Sequence, residues 1–121
     1  MAHILVVDDS PTETHVISNM LKKQGYKVSV AVDGNDGVEK ATQLLPDLIL
    51  MDVVMPELNG FQATRQLNKQ EATADIPIIM VTTKDQKTDK MWAERQGAKG
   101  YITKPFEEDN LLQEVSRLLS A

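Results

Sequence analysis

The stretch Leu48 to Gly60, LILMDVVMPELNG, carries an apolar run into one acid, Asp52, and then turns at Met55-Pro56 and Asn59-Gly60. A run this short between Pro46 and Pro56 reads as a buried strand, because neither proline is tolerated inside a helix. Asp52 then stands where the strand leaves the core. In an open α/β sheet that is the carboxyl-end rim, where ligands collect in the crevice.

Working outward, the same grammar repeats. Ile4 to Val7 is an all-apolar run that breaks into Asp8-Asp9-Ser10-Pro11, which fits a central parallel strand followed by a helix with Ser10 as N-cap and Pro11 at its first position. That helix carries Val16, Ile17, Met20 and Leu21 on one face and stops at Gly25. Tyr26 to Val32 alternates enough to lie nearer an edge, and Asp33-Gly34 turns into a second helix with Val38, Ala41, Leu44 and Leu45 as its stripe. After the opening stretch, Phe61 to Leu67 gives a third helix and Ile76 to Val81 a fourth strand, with Pro77 near its start, where a missing donor costs least. A polar helix from about Gln86 to Gln96, a fifth strand from Lys99 to Thr103 and a regular last helix from Glu107 to about Leu119 complete the chain. Alternating strands and helices predict an α/β fold: a five-stranded parallel sheet with helices on both faces.

A chain of 121 residues is expected to be one domain, residues 1–121, burying roughly two-thirds of its unfolded surface. The absence of cysteine removes thiol catalysis, thiolate metal sites and disulfides. No window reads as a signal peptide or membrane span, so the expected place is the cytoplasm, with no membrane contact. A net charge of -5 argues against nucleic acid as a partner.

The candidate chemistry lies at the strand ends: Asp8-Asp9, Asp52, Thr82-Thr83 and Thr103-Lys104. Carboxylates gathered there repel, by about 4 kcal/mol for a pair about 4 Å apart at an effective dielectric near 20. Lys104, or a hard divalent cation such as Mg²⁺ held by oxygens, must offset that charge. Carboxylates, a cation, a hydroxyl and an ammonium suit phosphoryl transfer, with Asp52 as nucleophile, Asp8 and Asp9 holding metal, and Thr82 and Lys104 binding the phosphoryl group. Taken singly, each of these residues has an ordinary structural explanation; their joint placement lifts the functional reading. His3 and His15 have no second ligand at metal spacing, no phosphate-binding glycine loop occurs, and Met51, Met55 and Met80 read as core. Trp92 reads first as packing and second as a partner-facing aromatic.

On Asp8-Asp9, DVVMPELNG from Asp52, Thr82 and Lys104-Pro105, the chain resembles from end to end the receiver domain of response regulators, especially single-domain CheY-like ones. That resemblance implies a flavodoxin-like doubly wound sheet of order 2-1-3-4-5, Asp52 as phosphorylation site, and Asp8, Asp9, Asp52 and the Val54 carbonyl as Mg²⁺ ligands. It further implies a cis Lys104-Pro105 peptide and a switch in which Tyr101 follows Thr82. The wording VDDSPTE, FQATRQL, TTKDQKTDK and RQGA with TKP looks like the PilH-type regulators of type IV pilus twitching motility. Thr83 and Lys84 depart from a generic CheY beside the phosphoryl pocket, which bears on the lifetime of the acyl phosphate.

The implied partners are a histidine kinase or phosphotransfer domain as donor and a downstream protein as target, the chain being a monomer and its only chemistry falling on its own Asp52. Thr12, Glu13, Thr14 and Asn19 on the first helix are expected to pair with the kinase. The rival from another class is a small Mg²⁺-dependent phosphatase of haloacid-dehalogenase type. It calls for a second Asp where Val54 stands, and a cap domain. A pseudo-receiver that only binds partners would lack one of the acids or Lys104.

Overall fold

Side chains alternate across a strand, and in this chain both faces of every central strand are covered, so the apolar runs need no polar alternation. The computed structural model describes residues 1–120; Ala121, the end of the expected domain, lies outside the described residues. In chain order the elements are β1 (His3–Val7), α1 (Pro11–Lys23), β2 (Lys27–Ala31), α2 (Gly34–Leu44), β3 (Leu48–Met51), α3 (Gly60–Lys69), β4 (Ile78–Thr82), α4 (Lys87–Gln96), β5 (Gly100–Thr103) and α5 (Glu108–Leu119). The strands form one sheet of order β2-β1-β3-β4-β5, every neighbouring pair parallel. This is the doubly wound order expected.

Ile4, Val6, Leu48, Leu50, Ile79 and Val81 point to one face and pack with Ile17 and Leu21 of α1 and Leu111 and Val115 of α5. Leu5, Val7, Ile49, Met51, Ile78 and Met80 point to the other, against Ala41 of α2, Ala63 and Leu67 of α3 and Ala93 of α4. Leu21 and Leu111 are fully buried, each contributing about 2 kcal/mol. That exceeds the ~1 kcal/mol of a side-chain cap, so packing fixes the helices and capping fixes where they start. Ser10 caps α1 by accepting from the Glu13 N–H at 3.3 Å, and Asn59 and Gln62 close a reciprocal capping box on α3.

Several boundaries depart from expectation for local reasons. β4 begins at Ile78, not Ile76; Pro77 contributes only its carbonyl, which accepts from the Ile49 N–H at 3.0 Å. β2 ends at Ala31, leaving Val32 60 % exposed. Leu44 and Leu45 do not extend the buried stripe of α2 but are exposed, since Leu45 ends the helix in a left-handed conformation (φ 46°) that turns the last residues outward. Val16 likewise lies outside the buried face of α1, which Thr14 and Ser18 join instead.

Candidate functional site

Backbone hydrogen bonds carry the parallel ladders one step past the strands and fix where the polar residues leave the sheet. The Asp8 N–H donates to the Ala31 carbonyl at 3.2 Å, the Asp52 N–H to Val7 at 2.9 Å and the Lys104 N–H to Thr82 at 2.7 Å. Residues scattered along the sequence thus emerge at one rim. One oxygen each from Asp8, Asp9 and Asp52 lies within 4.8 Å of the others. Asp8 is 4 % and Asp52 9 % exposed, while Asp9 faces solvent.

The Lys104 ammonium is shared between acids. It donates to Asp8 Oδ2 at 3.0 Å and stands 3.8 Å from Glu13 Oε2. The other Asp8 oxygen accepts from the Ser10 N–H at 2.9 Å. Burial would lower the Lys104 pKa, but the hydrogen bond to Asp8 and the charges of Asp52, Asp8 and Glu13 prevail and hold it above its ordinary value. The Asp52 carboxyl is pushed up, first by burial and then by the Asp8 charge, against the opposing Lys104 charge and the Val53 and Val54 N–H groups that hydrogen-bond to it. The peptide Lys104-Pro105 is cis.

Thr82 is fully buried at the end of β4, and its hydroxyl accepts from the Lys84 N–H at 3.4 Å. The Lys84 carbonyl in turn accepts from the Tyr101 hydroxyl at 2.7 Å. Lys84 is therefore gripped through its backbone from both sides. The Tyr101 phenol is pushed up to about 12 by burial, reinforced by Asp89, Asp85 and Asp52. In a Tyr26→Phe background its phenolate absorbance is expected to appear near pH about 12 instead of the usual ~10. An unshifted titration would mean that the phenol is not buried beside these acids in solution. Because the folded state keeps this proton longer than the unfolded chain, stability declines as pH rises through the ordinary tyrosine value toward the raised one.

Gly60 closes the rim from behind. Its N–H donates to the Val53 carbonyl at 2.9 Å, and a Cβ built on it would sit 2.1 Å from the Asp52 carbonyl oxygen. Gly60→Ala, at the first position of α3, gains at most about 1 kcal/mol of helix propensity but meets backbone that cannot yield cheaply, a cost of about 3 kcal/mol. A net loss of about 2 kcal/mol in denaturant unfolding is expected; an unchanged midpoint would refute the close approach.

The structure brings Asp8, Asp9, Asp52 and Lys104 together and sets Thr82 and Tyr101 on either side of Lys84. The Val54 side chain is 56 % exposed, with its backbone turned to Asp52 through the N–H. Among the proposed kinase-pairing residues, Thr14 is 7 % exposed with its hydroxyl donating to the Pro11 carbonyl at 3.0 Å, so it is not a surface residue. Glu13 turns toward Lys104. Trp92 is 46 % exposed, so packing does not account for it. His3 pairs with Ser29 at 2.7 Å and His15 with Asn19 at 3.2 Å, away from the rim acids. Sequence reasoning missed the roles of Glu13, the Lys84 backbone and Gly60; only Gly60 left a signal, in the Asn59-Gly60 turn.

The oxygen-only donor set, crowded and partly withdrawn from water, fits a hard divalent cation such as Mg²⁺. No helix among the described residues is long and apolar enough to cross a membrane.

The sequence model of the family described as "Response regulator receiver domain" matches residues 4–116. The chain is 57 % identical over 120 residues to Protein PilH of Pseudomonas aeruginosa, spanning 99 % of both. Among solved structures, the chemotaxis protein CheY4 of Vibrio cholerae superposes with a TM-score of 0.92 at 35 % identity, over 98 % of each chain. The receiver domain of a sensor histidine kinase from Pseudomonas aeruginosa, solved with a magnesium ion coordinated in its active-site cleft, gives a TM-score of 0.92 at 34 % identity, over 99 % of this chain and 98 % of that one.

Proposed function

The chain belongs to the response regulator receiver domain family, and from that membership we propose that it is a phosphorylation switch of a two-component system whose acceptor is Asp52. The observation that carries this reading is the gathering of the Asp52, Asp8 and Asp9 carboxylates within 4.8 Å, with Lys104 on Asp8 at 3.0 Å. A phosphohistidine of a kinase or phosphotransfer domain supplies the phosphoryl group. An Asp52 oxygen forms the new P–O bond as the P–N bond breaks and its electron pair returns to the imidazole ring. Lys104 exchanges Asp8 for the new phosphoryl oxygens, and the Thr82 hydroxyl turns from accepting the Lys84 N–H to donating to them.

Mg²⁺ held by Asp8, Asp9, Asp52 and the Val54 carbonyl would supply positive charge against the phosphoryl oxygens. Because Lys84 bonds to both Thr82 and Tyr101, a turn of Thr82 reaches Tyr101 through one residue. Phosphorylation then shifts the population toward the state whose contacts it improves. The likeness to PilH supports a role in type IV pilus twitching motility, in the cytoplasm, exerted on another protein or by draining phosphate from a shared kinase. Val54, at the position where the rival phosphatase chemistry needs an Asp, favours the switch.

Incubation of the full chain with Mg²⁺ and a small acyl phosphate, followed by intact mass, tests the proposal. The protein is expected to gain one phosphoryl group, and to gain none when EDTA replaces Mg²⁺. A mass that never changes would overturn it.

A further inference from the structure

The outward face of α4 is not accounted for by the switch. Met91 is 49 % and Trp92 46 % exposed, and Trp92 is the chain's single tryptophan. Adjacent large apolar side chains open to water, on a helix otherwise poor in apolar residues, form an apolar patch of the kind that contact surfaces use. Trp92 stands as a ridge between two hollows. One, of about 320 Å³, runs between α3 and α4 and is walled by Phe61, Gln62, Arg65 and Gln96; the other, of about 190 Å³, is walled by Thr88, Met91 and Arg95.

The charge of this face is opposite to that of the molecule. The chain has 18 acids against 13 Lys and Arg, yet neither hollow is lined by an Asp or Glu, and each contains one arginine. Among the described residues, the ion pairs engage Lys40, Lys104 and Arg117, leaving Arg65 and Arg95 without one. Arg95 has a helical reason to be where it is, since the last turn of α4 favours a cation. Arg65, in the middle of α3, has none. On the other side of α4, Lys90 and Glu94 line a separate small hollow with Tyr101, so the switch tyrosine and the tryptophan ridge face different ways.

We propose that the α3–α4 groove is a docking surface for an acidic segment of another protein, one that seats an apolar side chain on each flank of Trp92 and pairs carboxylates with Arg65 and Arg95. Tryptophan and arginine are the residue types that dominate binding energy at interfaces, most of all when desolvated together. The opposite charges steer such a segment to this face of a molecule that repels it elsewhere.

The test uses the full chain and random-sequence displayed peptides as the probe. Peptides selected on the immobilised protein are synthesised, titrated against wild type by Trp92 fluorescence, and titrated by a label on the peptide against Trp92→Ala and the double variant Arg65→Glu, Arg95→Glu. All three substituted residues lie outside the Asp52 site, so melting temperature and Asp52 phosphorylation serve as fold controls.

Selected peptides are expected to carry Asp or Glu beside apolar residues and to perturb Trp92 fluorescence. They should bind each variant at least about tenfold more weakly, the loss that removing one such anchor brings. Failure to enrich any peptide, enrichment of peptides without net negative charge, or undiminished binding to the variants overturns the proposal. So does self-association of the wild type in sedimentation that the charge-reversed variant loses, which would assign the groove to a second copy of this chain.

Discussion

Asp52→Asn is expected to abolish the phosphoryl gain in Mg²⁺ and acyl phosphate while making the metal-free protein more stable at neutral pH. The first outcome follows from chemistry: an amide oxygen is a poor nucleophile and lacks the carboxylate charge that attacks phosphorus to form the acyl phosphate. The second follows from the electrostatics of the rim. Burial and the neighbouring Asp8 charge hold the Asp52 carboxyl above its ordinary 3.8, so the folded state takes up a proton here that the unfolded chain would have released. Wild-type stability therefore carries a contribution that falls as pH rises through the ordinary carboxyl value and then through the raised folded one.

The Asn variant lacks that contribution. Its melting temperature in EDTA should exceed that of wild type at neutral pH, and the gap should close toward the acid end. Mg²⁺ should narrow the gap from the other side, by stabilising wild type more than the variant. A phosphoryl gain on the Asn variant equal to wild type would remove Asp52 from the acceptor role. A variant less stable than wild type at every pH would mean that the carboxylate is held by favourable contacts which outweigh its burial.

How much of this was legible in the sequence depends on the kind of contact. Asp8 and Asp52 could be read because each ends an apolar run abruptly, and Lys104 because it follows a short fifth strand; in a parallel sheet such ends share one rim. Glu13 could not: its approach to Lys104 joins α1 to the end of β5, and no local spacing encodes a contact between residues so far apart in the chain. The Lys84 link between Thr82 and Tyr101 was invisible for another reason. It is made by a backbone N–H and a backbone carbonyl, which every residue other than proline owns.

Thr14 was misread through its polarity and Leu45 through periodicity. A short polar side chain that bonds back to Pro11 buries as readily as an apolar one, and a left-handed terminal residue breaks the helical repeat at its last turn. Trp92 shows the converse. Its hydrophobicity argued for burial, but α4 already reaches the core through Ala93, and the neighbouring Trp92 is left pointing out.

Lys104→Met is expected to lower stability by about 3 kcal/mol in EDTA and to tighten Mg²⁺ binding. The Lys104 side chain is 11 % exposed and the Asp8 side chain 4 %, so their 3.0 Å contact is largely shielded from water. Removing one partner of such a pair leaves the other uncompensated, at a cost of about 3–5 kcal/mol. The lower end applies because Asp9 is exposed and the rim opens to solvent on that side. Methionine keeps the volume of the lysine stem, which isolates the charge as the cause.

The second effect runs the other way because, in the proposed switch, ammonium and divalent cation compete for Asp8. Without Lys104 the metal meets more negative charge and displaces nothing. Saturating Mg²⁺ at about 100 times its dissociation constant stabilises a folded state by about 2.7 kcal/mol, which should bring the variant most of the way back to the stability of metal-free wild type. Phosphoryl gain should nevertheless stay below wild type, since the cation proposed to move from Asp8 to the phosphoryl oxygens is missing. Thermal melts across a Mg²⁺ titration, with intact mass on the same samples, separate the two roles of Lys104. A variant as stable as wild type in EDTA would mean that the Asp8 pair contributes nothing to the resting fold. Weaker Mg²⁺ binding would mean that Lys104 helps to shape the metal site, contrary to competition for Asp8.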